Sequence, residues 1–254
     1  MRHVARKRFG QHFLTDAAVL AQIVAAVAPQ REDLMVEIGP GLGALTRPLA
    51  ERVTKLHVIE IDRDLVARLR VELPADVRIH EGDALQFDFA ALGQRLRVVG
   101  NLPYNISTPL LFHLCRFVAN IDDIHAMLQR EVVERMVARP STADYGRLSV
   151  MLQYRFRIER VLAVPATAFR PAPEVESAVV RMSPLRPLPH PADDERLLET
   201  IVTAAFSQRR KTLRNSLREH FSTEIFERLR LDAGVRAQDL SVADFVRLAN
   251  AIGR

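Results

Sequence analysis

Apolar residues in this chain fall into short runs bounded by glycine, proline and acids, separated by stretches in which they recur at helical spacing. The runs 34–38, 56–62, 77–80, 95–99 and 124–129 read as short buried strands. Helical stretches alternate with them. The first, 17–28, is capped by Thr15 and closed by Pro29; others span about 45–52, 64–72 and 110–117, the last opened by Ser107-Thr108-Pro109. Residues 155–164 make a sixth strand, and the alternation over 175–182 predicts a seventh, more exposed one. Such alternation predicts an α/β fold with a seven-stranded, mostly parallel sheet covered on both faces. Residues 182–193 carry four prolines and read as a linker. Beyond it only helices are predicted, over 197–221, 224–231 and 242–251, with Ser241 capping the last. The expected division is therefore 1–185 for the sheet domain and 186–254 for a small all-helical domain.

Composition narrows the setting. No apolar run approaches the roughly 20 residues of a membrane helix, and 48% hydrophobic content over 254 residues suits a soluble globular chain. The single cysteine, Cys115, lies in an apolar helix, which excludes an internal disulfide and fits a reducing, cytoplasmic setting. Neither it nor the eight histidines show metal-ligand spacing, so no metal is expected. The N-terminus is Arg-rich and acid-poor like a transit peptide, but it lacks the apolar core of a secretory signal.

Net charge is +5, and its placement says more than its size. Residues 1–15 hold Arg2, Arg6, Lys7 and Arg8 with no acid; residues 207–218 hold Arg209, Arg210, Lys211, Arg214 and Arg218 with none. The rest of the chain is net acidic. Two basic clusters fit a polyanion such as nucleic acid, or simply two solvated surfaces. Arg210, Arg214 and Arg218 are spaced four apart and would form one row on a helix, suited to phosphates of structured RNA.

Two corners carry candidate chemistry. Gly39-x-Gly41-x-x-Ala44 follows a strand and precedes a helix, and Glu60, 21 residues beyond Gly39, is placed to bind ribose hydroxyls. This pattern suits either a nicotinamide dinucleotide or S-adenosylmethionine. Asp83, after the third strand, could accept from an adenine amino group or merely form a turn. The second corner is Asn101-Leu102-Pro103-Tyr104. Adenine's exocyclic nitrogen is a poor nucleophile because its lone pair is delocalised into the ring. The Asn101 side-chain oxygen and the Leu102 carbonyl could together favour a pyramidal nitrogen, with Tyr104 stacked on the base. The alternative is a proline turn with Tyr104 packed in the core.

Several stretches together resemble the ribosomal RNA adenine dimethyltransferases of small-subunit (KsgA/RsmA) type, members of the class I, Rossmann-like methyltransferases. They are Gln11-His12-Phe13-Leu14, Glu37 to Thr46, Glu60-Ile61-Asp62, Gly82-Asp83-Ala84, Asn101 to Ser107, Phe169 to Ser177 and Phe206 to Leu213. The resemblance implies transfer of methyl groups from S-adenosylmethionine to the 6-amino groups of two adjacent adenosines. These lie in the 3′-terminal hairpin of small-subunit rRNA, met in an immature subunit by a monomeric enzyme. It assigns cofactor contacts to His12, Leu14, Gly39, Gly41, Glu60, Asp83 and Asn101, although His12 stands where the family usually has Asn. It assigns the target base to Asn101, Leu102, Pro103 and Tyr104, with Phe169 for the base's other face, unless Phe169 packs beneath its proline-rich loop. The basic residues Arg6, Lys7, Arg8, Arg209, Arg210, Lys211, Arg214 and Arg218 are the candidates for RNA. Rivals are a large-subunit dimethylase sharing the Asn-x-Pro-Tyr turn, an assembly factor for which methylation is incidental, and a nicotinamide dehydrogenase.

Overall fold

The computed structural model describes Arg6 and residues 10–252. Its residues form two compact units: one runs up to Val133 and resumes over Ile158–Pro184, the other comprises Glu134–Arg157 and the chain from Leu185 onward.

In the first unit, β1 (Phe13–Leu14) leads to α1 (Ala17–Val27), β2 (Leu34–Ile38), α2 (Thr46–Ala50), β3 (Lys55–Glu60), α3 (Arg63–Glu72) and β4 (Arg78–Glu81). Then come β5 (Leu96–Asn101), α4 (Ser107–Cys115) and β6 (Ile121–Gln129). The chain continues through α5 (Arg130–Val137) and α6 (Arg147–Arg155) to β7 (Phe156–Val164), β8 (Phe169–Arg170) and β9 (Ser177–Pro184). The seven-stranded sheet has the order β4-β3-β2-β5-β6-β9-β7. Pairs from β4 through β6 are parallel, and β9 joins β6 antiparallel.

Register explains why one end of this sheet can hold a site. Glu37 lies opposite Val58 and Val99, Glu60 opposite Glu81, and Asn101 opposite Met127. The carboxyl ends of β2, β3, β4 and β5 therefore finish close to one level, and the chemistry-bearing residues leave the sheet there together. Close strand approach requires Gly100, where a Cβ would stand 2.4 Å from the Ile38 carbonyl oxygen. One face packs Met35, Val58, Val99 and Met127 against Ile23, Val27 and Phe169 in a continuous apolar core.

Two local expectations change, and one strand pair is added. The cap of α1 is Asp16, whose carboxylate accepts from the Ala18 and Val19 amides, whereas the Thr15 hydroxyl donates to the Ala168 carbonyl. The seventh strand is the buried one: β9 is covered within the sheet, and the exposed edge falls to β7. The β1–β8 pair, with Phe13 opposite Arg170, ties the N-terminal segment to the proline-rich loop and has no periodic signal in so short a run.

The second unit contains α7 (Glu195–Ser207), α8 (Leu213–Ser216), α9 (Thr223–Arg228) and α10 (Val242–Ile252), with α6 and the second half of α5. A linear division at 185 leaves 134–157 with the sheet. The structure groups it with the helices because Val150 and Tyr154 of α6 pack among Leu198, Ile201, Leu213 and Phe245. The expected helix over 197–221 is broken. Residues 208–211 offer no apolar side chain to bury, and Thr212 pairs with Arg236 while the Leu213 and Arg214 amides donate to Val235 and Ala233. Those bonds draw the backbone off the helical path. Arg210 and Arg218 lie in turns and Arg214 in a four-residue helix, so the three do not form a row on one helix.

Candidate active site

The site is built where β2 turns into the glycine corner. Gly41 has φ +56°, and a Cβ there would meet the Phe13 ring at 3.0 Å, so glycine answers both a backbone and a space requirement. Glu60, 6% exposed, holds this corner: one carboxylate oxygen accepts from the Gly41 amide at 3.2 Å and the other from the Asp62 amide at 2.9 Å. Burial pushes its carboxyl above the usual range, and the backbone bonds oppose that shift. Each oxygen keeps a lone pair for a further donor. Gly39 is pinned by its amide to the Ile59 carbonyl.

Sequence reasoning misses Glu37, although an acid inside an otherwise apolar strand is a visible signal. It is buried, its Oε2 has no hydrogen-bond partner among the described residues, and burial raises its carboxyl to about 8. Asp83 accepts from the Leu85 amide through Oδ1, so it does form a turn, and it also lines the cavity.

The second corner faces the same space. Asn101 donates from Nδ2 to the His12 carbonyl at 2.9 Å, which fixes the amide's orientation and leaves Oδ1 unpartnered among the described residues. The Leu102 amide bonds the Met127 carbonyl, and Pro103 accepts from the Ile106 amide, so the turn is stiff. The Tyr104 hydroxyl meets the Ser177 hydroxyl at 2.6 Å, and its half-buried ring stacks on His12 with centroids 5.6 Å apart. A cavity of about 320 Å³ is lined by both corners, by Glu60 and Asp83, and by residues 10–14. The N-terminal segment is held over it: Gln11 and Arg6 both bond the buried Asp62 carboxylate, and Arg6 also pairs with Asp64.

A family model described as ribosomal RNA adenine dimethylase matches residues 2–253. The chain belongs to the ribosomal RNA adenine dimethylase family. It is 58% identical over 255 residues to the ribosomal RNA small subunit methyltransferase A of Nitrosospira multiformis, covering 100% of this chain and 98% of that one. Against the protein of the same name from Aromatoleum aromaticum, identity is 60% over 251 residues, with 98% and 95% covered. Among solved structures, the 23S rRNA methyltransferase ErmE is 26% identical with a TM-score of 0.72, covering 95% of this chain and 100% of that chain. A dimethyladenosine transferase from Plasmodium falciparum shares the fold at a TM-score of 0.81 and 24% identity, with 93% and 96% covered.

Within this dimethylase, two groups of candidate residues change standing. Phe169 has no exposed surface and packs with Leu14, Val164 and Ala168, outside the cavity lining. It is a core residue under the proline-rich loop in this structure, because its pairing with Leu14 turns the ring inward; it presents no face to a base. Among the basic candidates, Arg6 is taken up by Asp62 and Asp64, and the Arg209 guanidinium by the Ala143 carbonyl. Arg210, Lys211, Arg214 and Arg218 are exposed and without an acidic partner among the described residues. Lys7 and Arg8 lie outside the described residues. No group of three or more potential metal ligands occurs among the described residues, and no helix of theirs is long and apolar enough to cross a membrane.

Proposed function

We propose that this dimethylase transfers methyl groups from S-adenosylmethionine to the 6-amino groups of two adjacent adenosines in the 3′-terminal hairpin of small-subunit rRNA. The observation that carries the reading is the Asn101 amide, oriented by the His12 carbonyl so that its free oxygen sits beside Tyr104 and a nucleoside-sized cavity. The names of the full-length relatives favour the small subunit. In this reading a monomer in the cytoplasm meets the rRNA in an immature subunit.

The residues present fit the cofactor. Glu60 has lone pairs for ribose hydroxyls, Asp83 an oxygen for an adenine amino group, and the backbone at Gly39 and Gly41 comes close enough for contact. Leu14 is 8% exposed and adds apolar lining. Bound S-adenosylmethionine would supply an electrophilic sulfonium methyl. What the chain supplies is geometry: in-line approach at about 3–3.5 Å is the whole requirement. Asn101 Oδ1 and the Leu102 carbonyl accept from the target amine, and Tyr104 fixes the plane of its ring. The methylated nitrogen is cationic and sheds a proton readily, so no side-chain base is required. After the first transfer one N–H remains and only one acceptor can be satisfied, so the second transfer is held less firmly.

Mass spectrometry of rRNA from unmethylated small subunits, incubated with the protein and labelled S-adenosylmethionine, tests this. The expected product is two adjacent dimethyladenosines. No label on small subunits, with label on purified large subunits incubated in parallel, would overturn the reading.

A further inference from the structure

The cavity does not end at the two amine acceptors. Met127 lies opposite Asn101 across β5 and β6, its carbonyl takes the Leu102 amide, and Val179 lies opposite Met127 on β9. Residues paired in this way point to the same face, and so does Val99, two positions before Asn101. All three apolar side chains are buried from solvent and still line the cavity, and Ile23 of α1 joins them there. A strand spacing of about 4.8 Å sets Met127 one step and Val179 two steps from the asparagine. Level with Val99, Glu37 on β2 and His125 on β6 flank it and also line the cavity. Burial keeps both uncharged near neutrality, the carboxyl being raised to about 8 and the imidazole lowered to about 4. No fixed charge therefore opposes an apolar group in this part of the cavity.

The reaction creates such a group. An unmethylated amine offers one N–H to Asn101 Oδ1 and another to the Leu102 carbonyl. After the first transfer one N–H has become N–CH3, and the lone pair must again face the sulfonium. The methyl then takes the direction of one acceptor, where an amide oxygen alone is a poor neighbour for it. Resting on the adenine reading above, we infer that the apolar wall of Val99, Met127 and Val179 receives the first methyl group, and so lets this chain make dimethyl- rather than monomethyladenosine. The remaining N–H keeps one acceptor. In the second step the nitrogen attacks the sulfonium carbon, the carbon–sulfur electron pair leaves with sulfur as a thioether, and the proton on nitrogen passes to water. The corner selects the amine, and the wall sets how many methyls it takes.

The test is Val179→Ile, which adds one methylene to the wall, with Val179→Ala, which removes two carbons, as its counterpart. Overfilling a packed site should slow the second transfer about 5- to 150-fold more than the first. Mass spectrometry of small-subunit rRNA over a time course reads both rates. Monomethyladenosine should accumulate with Val179→Ile and stay transient with Val179→Ala. Val99→Ile adds the same methylene from a neighbouring strand and should give the same accumulation, so the outcome does not hang on the folding of one variant. Calorimetry should return one Kd for S-adenosylmethionine across all of them. A wild-type ratio of products in both isoleucine variants would overturn the inference. So would equal slowing of the two transfers, which would make the wall merely structural, or a weakened cofactor Kd, which would assign it to S-adenosylmethionine. Wild-type protein that leaves small subunits unmethylated would instead overturn the adenine reading itself.

Discussion

The corner around Asn101 and the basic turn around Arg210 handle polar groups in opposite ways. At the corner, nearly every donor and acceptor is tied to something: Asn101 to His12, Tyr104 to Ser177, Glu60 to Gly41 and Asp62. Among the described residues the Asn101 Oδ1 is left without a partner there, its direction fixed by the bond that Nδ2 makes. In the turn, Arg210, Lys211, Arg214 and Arg218 stand exposed on irregular backbone or a single helical turn, with no acid among the described residues to hold them. One region suits selection by geometry, the other attraction by charge. A nitrogen must be placed within tenths of an ångström, whereas a phosphate backbone can be met by mobile cations.

Substitutions can break this contrast. The heaviest effect should come from beneath the corner. Phe169→Ala empties a fully buried site in the core and should cost about 3–5 kcal/mol in denaturant unfolding; a stable variant with a raised KM would restore the stacking role. Asn101→Ala should lower single-turnover methyl transfer by about 10²–10³-fold, while subunit binding in filter assays changes little. Replacing Arg210, Arg214 and Arg218 together by Ala should act the other way round. RNA affinity should fall and its slope against salt shrink by about 0.7–0.9 for each phosphate no longer neutralised, with calorimetric cofactor affinity unchanged. An equal loss of cofactor binding would mean that those arginines are structural. Ser177→Ala removes one hydrogen bond from Tyr104 and should cost about 1 kcal/mol in transition-state stabilisation, read as kcat/KM.

A separate change is one of pH. Glu37 titrates near 8 when folded and near 4.5 when unfolded. Its folded form therefore keeps a proton that the unfolded chain releases, and stability should decline as pH rises from 4.5 toward 8. Glu37→Gln should match the wild type at about pH 5 within about 1 kcal/mol and show a flatter profile above it.

The strands of the sheet and both corners were legible because each rests on local pattern: apolar runs of strand length, glycines after β2, a proline turn after β5. What depended on distant partners was not. Phe169 reads the same whether it faces a cavity or Leu14, and only the β1–β8 pairing decides. The break after Ser207 arises from bonds between 212–214 and 233–236, some twenty residues apart. Helices α5 and α6 escape notice for a different reason: Val132, Val133 and Met136 do carry helical spacing, but over too few turns to stand out. Asp16 and Thr15 are both good caps, and the Ala168 carbonyl, far along the chain, takes the threonine.

Gly100 joins these threads. With the Ile38 oxygen 2.4 Å from where a methyl group would sit, even an alanine there would act as a wedge between the two ribbons bearing the glycine turn and the asparagine. The spacing of the two corners thus depends on the absence of a single carbon atom beside Asn101, at a residue that itself lines the cavity, and a methyl group there would push the asparagine turn away from the glycine turn.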